Sequence, residues 1–297
     1  MTSAYTAIRV ARPGRMLSPD GAAIERVIEK GAAWLRATFE ASGQRRLILG
    51  LSGGLDSAVA ALWAARAVEP ENLLLVAMPY GLLRSSERAA SATESLEHAR
   101  LVADTLPGSE LRVLDIAESV DREARVLGVG DSSDEARIAF GNLKARIRAV
   151  RLRTLSNLEQ GLVLGTENLS EHLLGYFTLG GDEESDLEIN THLFKTEIRA
   201  VASSLGVPLP VQQKPPSADL WAGQTDEQEL GYSYEEADPV LLDLVFGRPP
   251  AGDPGLVRAV RARVEGTAFK RAPKPSLTLP PSPCQFSTDT LEEDDET

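Results

Sequence analysis

The chain has 297 residues, of which 42% are hydrophobic and 25% charged, a composition typical of a globular protein with a buried core in one or two domains. The formal net charge of −13 disfavours a general nucleic-acid binder, which needs a positive surface. A single cysteine, Cys284, excludes an internal disulfide and a cysteine-based metal cluster. No apolar run approaches the roughly 20 residues of a membrane helix, and we find no apolar secretory leader. We therefore expect a cytoplasmic protein that binds neither membrane nor nucleic acid.

Apolar runs and helical periods alternate along the first two thirds of the chain. In chain order, the pattern predicts helix 20–42, strand 45–51, helix 58–68, strand 72–79, helix 86–106, strand 111–116, helix 133–158 and strand 161–166. Each strand is a continuous apolar run, which favours a parallel sheet buried on both faces. The predicted fold class is α/β, a doubly wound parallel sheet with helices on both faces in a single domain.

The two ends of the chain differ in composition from the middle. After residue 207 several prolines break the pattern, and helical stretches follow at about 234–246 and 254–266. We expect a flexible N-terminal arm over 1–19 and a folded domain over 20–272. A Pro/Ser-rich and then acidic tail over 273–297 is expected to be disordered.

The stretch LGLSGGLDSAVAAL, residues 49–62, joins a predicted strand to a predicted helix. At the carboxyl end of a parallel strand, a helix N-terminus presents unpaired backbone N–H groups that bind phosphate. Gly53 and Gly54 remove side chains so that phosphate can approach the backbone, and they permit unusual φ angles. Ser52 and Ser57 add hydroxyl donors. Asp56 would repel a phosphate unless a Mg²⁺ ion lies between them.

A Gly-rich turn whose Asp and Ser side chains only cap the next helix is the structural alternative for this loop. The loop matches neither G-x-x-x-x-G-K-[ST] nor G-x-G-x-x-G. It resembles the S-G-G-x-D-S pyrophosphate loop of the ATP pyrophosphatases, a superfamily that cleaves ATP to AMP and pyrophosphate and activates a carboxylate or carbonyl as an adenylate.

Later motifs, in their order and spacing, resemble the NAD synthetase family. These are FGNLKARIR (140–148), GTENLSEHLLGYFTLGGD (165–182), LFKTEIRAVASSLGVP (193–208) and KPPSADLWAGQTDEQELGYSYEEAD (214–238). The resemblance covers residues from about 20 to about 271. It implies an adenine nucleotide alpha-hydrolase-like fold, usually as a homodimer.

The resemblance also implies a reaction. The nicotinate carboxylate of deamido-NAD attacks the α-phosphorus of ATP, pyrophosphate leaves, and an acyl-adenylate forms. Ammonia then attacks the acyl carbon, and AMP leaves to give NAD. Such an enzyme must hold two anionic nucleotides and keep water away from the adenylate.

Matching positions carry the family's roles onto this sequence. Asp56 and Glu171 are expected to be Mg²⁺ ligands, and Asp56, Lys195 and Asp182 are expected to be the catalytic residues. The expected ATP-binding residues are Ser52, Gly53, Gly54, Asp56, Ser57, Thr166, Lys195 and Ser217. A lysine at the phosphates stabilises the leaving pyrophosphate as a point charge.

The resemblance places five residues at deamido-NAD: Asn142, Arg146, Asp182, Asp186 and Lys270. Asn142 and Arg146 are four apart on one helical face, and an ordinary pair of surface residues is the alternative for them. Asp182 and Asp186 match acids near the nicotinate ring and the ammonia site, where an acid could help to deprotonate ammonium. The family often has His-Lys-Arg where this chain has Phe269, Lys270 and Arg271, which weakens the expectation for Lys270.

Only about 45 residues precede the first predicted strand, too few for a glutaminase domain, and Cys284 lies in the Pro-rich tail without a base. We therefore expect ammonia as the nitrogen donor, supplied free or by a separate glutaminase. Two alternatives remain open: a divergent ATP pyrophosphatase that amidates another carboxylate, and a nucleotide-binding sensor that has lost catalysis.

Overall fold

The computed structural model of the chain describes residues 15–17, 20–82, 87–130, 133–217, 220–221 and 223–272. These residues contain five strands: β1 (Arg46–Gly50), β2 (Leu73–Ala77), β3 (Glu110–Val113), β4 (Gly161–Gly165) and β5 (Leu187–Glu188). The helices up to residue 205 are α1 (Gly21–Ser42), α2 (Leu55–Ala64), α3 (Glu87–Asp104), α4 (Ala117–Leu127), α5 (Asp134–Glu159), α6 (Leu169–Leu174) and α7 (Lys195–Leu205). The later helices are α8 (Leu209–Gln213), α9 (Asp226–Leu230), α10 (Tyr234–Val245), α11 (Pro254–Gly266) and α12 (Ala268–Arg271).

The strands form one parallel sheet in the order β3-β2-β1-β4-β5. Strand β1 lies in the middle, so the loop that follows it reaches the carboxyl edge between β2 and β4. In open α/β sheets, ligands bind at this edge where the strand order reverses. The sheet therefore places the loop after β1 where a nucleotide would bind.

Both faces of the sheet are buried, as the continuous apolar runs predict. Leu47 and Leu49 belong to a core shared with α1, α2 and α7. Ile48, between them, belongs to a second core on the opposite face, formed with α4 and α5. Alternate residues of one strand thus pack into different cores, which is what a doubly wound sheet requires. The predicted fold class is confirmed.

A third core lies beside the sheet and holds α6, α10 and α11 together. Tyr234 and Phe194, two of its members, are completely buried. This core fixes the start of α6 and the start of α7 relative to each other, and both starts carry side chains of the candidate site.

One predicted boundary that bears on the site changes, and several elements of the structure were not predicted. Helix α2 begins at Leu55 rather than at 58, so Asp56 and Ser57 lie in its first turn. Helix α4 and strand β5 were not predicted: α4 buries only two residues, and β5 has only two. Except for residues 15–17, the predicted arm over 1–19 and the predicted tail over 273–297 lie outside the described residues. No helix in the described part of the chain is long and apolar enough to cross a membrane.

Candidate active site

The loop after β1 is held in shape by two serine hydroxyls. Ser57 Oγ lies 3.0 Å from Ser52 Oγ, donates to the Gly54 carbonyl at 3.0 Å and accepts from the Ser52 N–H at 3.2 Å. Gly54 is the N-cap of α2 and supplies no side-chain cap. The first N–H groups of α2 therefore have no capping side chain over them, as an anion site at a helix N-terminus requires.

The two glycines of the loop differ in backbone conformation and in surroundings. Gly53 has φ +79°, and a Cβ there would lie 2.1 Å from the carbonyl oxygen of Ser95 on α3. Gly54 has an ordinary φ of −91°, and it lines the cavity described below, which Gly53 does not. Gly53 thus has the unusual φ that the sequence predicts and allows close packing against α3, whereas Gly54 lies on the cavity wall; phosphate binding at both glycines stays a prediction.

Lys195, Asp56 and Glu171 meet at the carboxyl edge of the sheet. Lys195 Nζ donates to Asp56 Oδ2 at 2.5 Å and to Glu171 Oε1 at 2.9 Å. Each side chain comes from the first turn of a different helix, namely α7, α2 and α6. Asn168, the N-cap of α6, donates from Nδ2 to Asp56 Oδ1 at 2.8 Å and so fixes the carboxylate's orientation.

Burial dominates the electrostatics of this cluster. The Lys195 side chain is only 4% exposed. Burial disfavours its charged form, but Asp56 and Glu171 outweigh that effect and raise its pKa above the usual lysine value. Burial raises the pKa of Glu171, and the charge of Lys195 opposes that rise. Burial also raises the pKa of a third acid, Asp226, which accepts a hydrogen bond from the Tyr234 hydroxyl at 3.1 Å. Three acids around one lysine favour binding of a further cation.

A cavity of about 550 Å³ extends from this cluster along the edge of the sheet. Most of the predicted site residues lie on its wall: Ser52, Gly54, Asp56, Ser57, Asn142, Thr166, Glu171, Asp182, Lys195, Ser217 and Lys270. The cavity is within the size range of small-molecule sites. One end carries the loop after β1, where phosphate is expected, and the other carries the residues expected at deamido-NAD.

The second end of the cavity surrounds the turn at 175–182. Thr178 links two predicted residues, because its N–H donates to Asp182 Oδ1 at 3.0 Å and its hydroxyl donates to Asn142 Oδ1 at 2.8 Å. Lys270 Nζ donates to the carbonyls of Gly175 and Phe177 at 2.7 and 2.6 Å. Burial lowers the pKa of Lys270. This turn is therefore held from α5 on one side and from α12 on the other.

Besides Gly53, two predicted residues, Arg146 and Asp186, do not line the cavity wall, and their expected contact with deamido-NAD stays a prediction. Arg146 donates from Nε to the Leu179 carbonyl at 3.1 Å, which braces the same turn from outside. Asp186 accepts from Arg153 at 2.5 Å and from the Val163 N–H at 2.7 Å. Both oxygens of Asp186 thus have hydrogen-bond partners beside β4, and its N–H donates to the Val163 carbonyl at 2.9 Å.

The structure adds cavity residues that sequence reasoning missed. Lys214 lines the phosphate end and donates from Nζ to Ser95 Oγ at 2.9 Å. Asp226 lines the wall beside Lys195. Lys144 is buried, donates to the Leu220 carbonyl and lies 4.4 Å from the centre of the Tyr80 ring. Lys214 and Asp226 belong to the quoted 214–238 motif and Lys144 to FGNLKARIR, but no spacing rule distinguishes them from their neighbours.

A parallel sheet with a Gly-containing loop at a helix N-terminus, beside paired carboxylates and a lysine, defines an adenine nucleotide alpha-hydrolase-like protein. A family model described as NAD synthase matches residues 27–273. The chain belongs to the NAD synthase family. The predicted fold, family and enzyme class, a ligase, are confirmed.

Several relatives carry the name NH3-dependent NAD(+) synthetase. One from Trichlorobacter lovleyi is 41% identical over 236 residues, which cover 77% of this chain and 81% of that protein. One from Methanocaldococcus jannaschii is 36% identical over 233 residues, with coverage of 77% and 85%.

Solved structures of similar chains agree with this assignment. The structure of an NMN synthetase from Francisella tularensis is 26% identical, with a TM-score of 0.70 and coverage of 87% of this chain and 98% of that one. An NH3-dependent NAD synthetase from Campylobacter jejuni, in complex with the nitrate ion, is 26% identical with a TM-score of 0.66 and coverage of 86% and 99%.

Proposed function

We propose that this chain is an ammonia-dependent NAD⁺ synthetase that amidates deamido-NAD through an acyl-adenylate, with release of AMP and pyrophosphate. The observation that carries the proposal is one cavity with two chemically different ends. A phosphate loop with the Asp56–Lys195–Glu171 cluster lies at one end, and Asn142, Asp182 and Lys270 lie at the other. The names of the curated relatives support the same reaction.

In the first step, the nicotinate carboxylate attacks the α-phosphorus of ATP, and the bond to the β-phosphate oxygen breaks. The uncapped N–H groups of α2 and the hydroxyls of Ser52 and Ser57 would hold the departing pyrophosphate. Lys195 stays protonated between its two acids and supplies positive charge to the leaving group. Thr166, at the end of β4, and Ser217 contribute hydroxyl donors on the same wall.

Asp56 and Glu171 fit a Mg²⁺ ion by the chemistry of their donors. Each carboxylate contacts Lys195 through a single oxygen, and both residues line the cavity, so they could bind the ion beside the lysine rather than in its place. Mg²⁺ prefers carboxylate, phosphate and water oxygens. Within the described residues no group of three His, Cys, Asp or Glu side chains could hold a metal by itself. Phosphate oxygens of ATP and water would therefore complete the shell, and the bound ion would neutralise phosphate charge.

In the second step, ammonia attacks the acyl carbon, and the bond to AMP breaks. Only neutral ammonia has the electron pair for this attack, so an acid near the acyl carbon can attract ammonium and accept its proton. Asp182 lies on the cavity wall with one oxygen bonded to the Thr178 N–H, which fixes its position. A homodimer and a cytoplasmic location remain predictions, and light scattering of the purified chain tests the dimer.

A different carboxylate substrate is the second candidate. The similar structure of an NMN synthetase favours it, and so does Phe269, which is 67% exposed and does not line the cavity. The family's histidine contact at this position is therefore missing here. A smaller mononucleotide substrate would need fewer contacts at this end.

The test is formation of the nicotinamide product with ATP and Mg²⁺, run with ammonium or with glutamine: NAD is measured with deamido-NAD as substrate, and nicotinamide mononucleotide with nicotinate mononucleotide. The proposal predicts amide formation from deamido-NAD with ammonium alone. Preference for the mononucleotide would favour the second candidate. If the chain binds ATP but releases no pyrophosphate from it with either carboxylate substrate, both candidate functions are overturned and a nucleotide sensor is favoured.

A further inference from the structure

The position of Lys195 depends on how the first turn of α7 is capped. Lys195 is the first residue of this helix, and the N-cap before it is Phe194, whose side chain has no hydrogen-bond acceptor. The first N–H groups of a helix have no partner within the helix, and a polar N-cap side chain usually accepts from them. Phe194 is completely buried and Lys195 nearly so, which keeps water from taking this role. Acceptors from elsewhere in the chain are therefore needed.

Two side chains from other helices supply these acceptors. The Lys195 N–H donates to Ser170 Oγ of α6 at 2.8 Å. The Thr196 N–H donates to Asp238 Oδ2 of α10 at 3.0 Å, and the Thr196 hydroxyl donates to the same oxygen at 2.8 Å. The start of α7 is thus capped from α6 and from α10, and not by its own N-cap residue.

Asp238 joins the two caps into one network. Its other oxygen, Oδ1, accepts from the Ser170 hydroxyl at 2.6 Å. Ser170 therefore accepts from Lys195 with its oxygen and binds Asp238 with its proton. An ionised carboxylate has two acceptor oxygens and no donor, so it can hold the Ser170 hydroxyl and both Thr196 groups at once.

The network is shielded from solvent. Asp238 and Ser170 are both completely buried. Water does not compete for buried hydrogen bonds, and a buried group that loses its partner stays unsatisfied. The backbone of Lys195 and Thr196 is therefore held firmly in one position.

The same contacts bring Lys195 to Glu171. Ser170 directly precedes Glu171 in α6, so the bond from the Lys195 N–H to Ser170 joins the starts of the two helices. A backbone bond from the Leu169 N–H to the Leu193 carbonyl at 2.8 Å joins them a second time. From this backbone position, Lys195 Nζ reaches Glu171 Oε1 at 2.9 Å.

Asp238 acts on the site only through these neighbours. It is not among the described residues that line the cavity, whereas Lys195 is. The lysine ammonium group bonds to Asp56 and Glu171, and the Asp238 carboxyl bonds to groups at the two helix starts. Because a lysine side chain is long and flexible, its charge stays in place only if its backbone does.

We propose that Asp238 is a positioning residue for Lys195: it acts through Ser170 and Thr196 to hold the start of α7 against α6, and so places the lysine charge at the leaving pyrophosphate. This inference rests on the proposed function and assigns to that reaction a residue outside the cavity. A misplacement of about 1 Å can cost on the order of 100-fold in rate, so a small change in this network reaches the chemistry.

The experiment uses the full-length chain at pH 8, where the carboxyl of Asp238 is ionised, since burial raises its pKa only to about 6. Asp238→Asn leaves one acceptor oxygen in place of two. Ser170→Ala removes the hydroxyl that lies between Asp238 and the Lys195 N–H. Asp243→Asn is the matched control, because it makes the same change on the same helix at a residue paired with Arg248.

Each of the three substitutions is also combined with Lys195→Met. The measured quantities are kcat and KM for ATP in pyrophosphate release, the melting temperature, and the hydrogen exchange rate of the Lys195 N–H.

We expect Asp238→Asn and Ser170→Ala each to lower kcat at least tenfold and to leave the KM for ATP within twofold. The reason is that a displaced lysine weakens the transition state more than it weakens ATP binding. In the chain with Lys195→Met, the same substitutions should lower kcat less than twofold further, because the group that they position is gone. The control keeps the value of its parent chain in both cases.

An unchanged kcat in both variants overturns the proposal. A further tenfold loss in the Lys195→Met chain also overturns it, and so does a lower melting temperature with a normal kcat, because a purely structural role gives these results. If Asp238→Asn does not fold, Ser170→Ala decides by the same criteria.

If the wild type releases no pyrophosphate, the proposed function fails, and hydrogen exchange then tests the network separately. Exchange of the Lys195 N–H at least tenfold faster in Ser170→Ala than in the wild type and in the control supports the network, and equal exchange overturns it.

Discussion

The two loop glycines provide a paired test of how the phosphate site is built. Gly53→Ala places a Cβ at φ +79° and 2.1 Å from the Ser95 carbonyl oxygen. A left-handed conformation costs a non-glycine residue about 1–2 kcal/mol, and overpacking against backbone adds about 1–3 kcal/mol. The variant should lose about 2–5 kcal/mol of unfolding free energy. At about 2–4 °C per kcal/mol for a chain of this size, the melting temperature falls by roughly 10 °C.

Gly54→Ala is the matched variant, one residue away. Its φ of −91° suits alanine, and the nearest atom to the new Cβ is Ser52 Oγ at 3.3 Å. We expect a stability change below about 1 kcal/mol. Because Gly54 lines the cavity at the N-cap of α2, the added methyl group obstructs the phosphate, and kcat/KM for ATP should fall at least tenfold.

Urea unfolding and pyrophosphate release measure the two effects separately. The expected pattern is an unstable Gly53→Ala chain and a stable Gly54→Ala chain with poor use of ATP. If Gly53→Ala is as stable as the wild type, the close approach of the loop to α3 is wrong. If Gly54→Ala uses ATP normally, Gly54 does not face the phosphates.

Three further predictions concern the buried charges. Lys195→Met removes the cation held by Asp56 and Glu171. It should lower kcat for pyrophosphate release by about 10²–10³-fold, as the loss of one preorganised charge does. A near-normal kcat would show that Lys195 has no part in the mechanism. Lys270→Met should raise the KM for deamido-NAD at least tenfold while leaving the KM for ATP within twofold, because Lys270 lies only at the 175–182 end of the cavity; equal changes in both constants would contradict this division. Asp238 is fully buried, and burial raises its pKa to about 6 from 3.8. The folded chain therefore binds the Asp238 proton more tightly than the unfolded chain does. The protonated Asp238 stabilises the fold fully below about pH 4, and this contribution to the free energy of unfolding is lost as the pH rises to about 6. Relative to Asp238→Asn, the wild type should lose about 3 kcal/mol across that range, measured by urea unfolding at each pH; a constant difference would mean that the pKa is not raised.

The sequence predicts those parts of the fold that depend on apolar pattern. Four strands are continuous apolar runs, and their spacing by helices is enough to predict a two-faced parallel sheet. Helix α4 was not predicted because it is rich in charged residues and buries only Val120 and Ala124. Strand β5 was not predicted because a strand of two residues is too short to show a periodic pattern.

The candidate site was likewise predicted in part from the sequence. Motif positions identify Asp56, Glu171 and Lys195, which come together because parallel strands end at one edge of the sheet. Helical spacing groups Arg146 with Asn142, but only Asn142 lines the cavity wall, whereas Arg146 donates a hydrogen bond to the Leu179 carbonyl. The position of the Glu188 carboxyl depends on Gly165 and on strand register, which no local pattern reveals.

The most direct test of the proposed reaction follows the oxygen atoms of the nicotinate carboxylate. Deamido-NAD labelled with ¹⁸O in that carboxylate is incubated with ATP, Mg²⁺ and ammonium, and the products are analysed by mass spectrometry. Attack of the carboxylate on the α-phosphorus predicts one ¹⁸O atom in AMP for each NAD formed, and none in pyrophosphate. Unlabelled AMP, or label in inorganic phosphate together with ADP, would contradict an acyl-adenylate and with it the role assigned to the loop after β1.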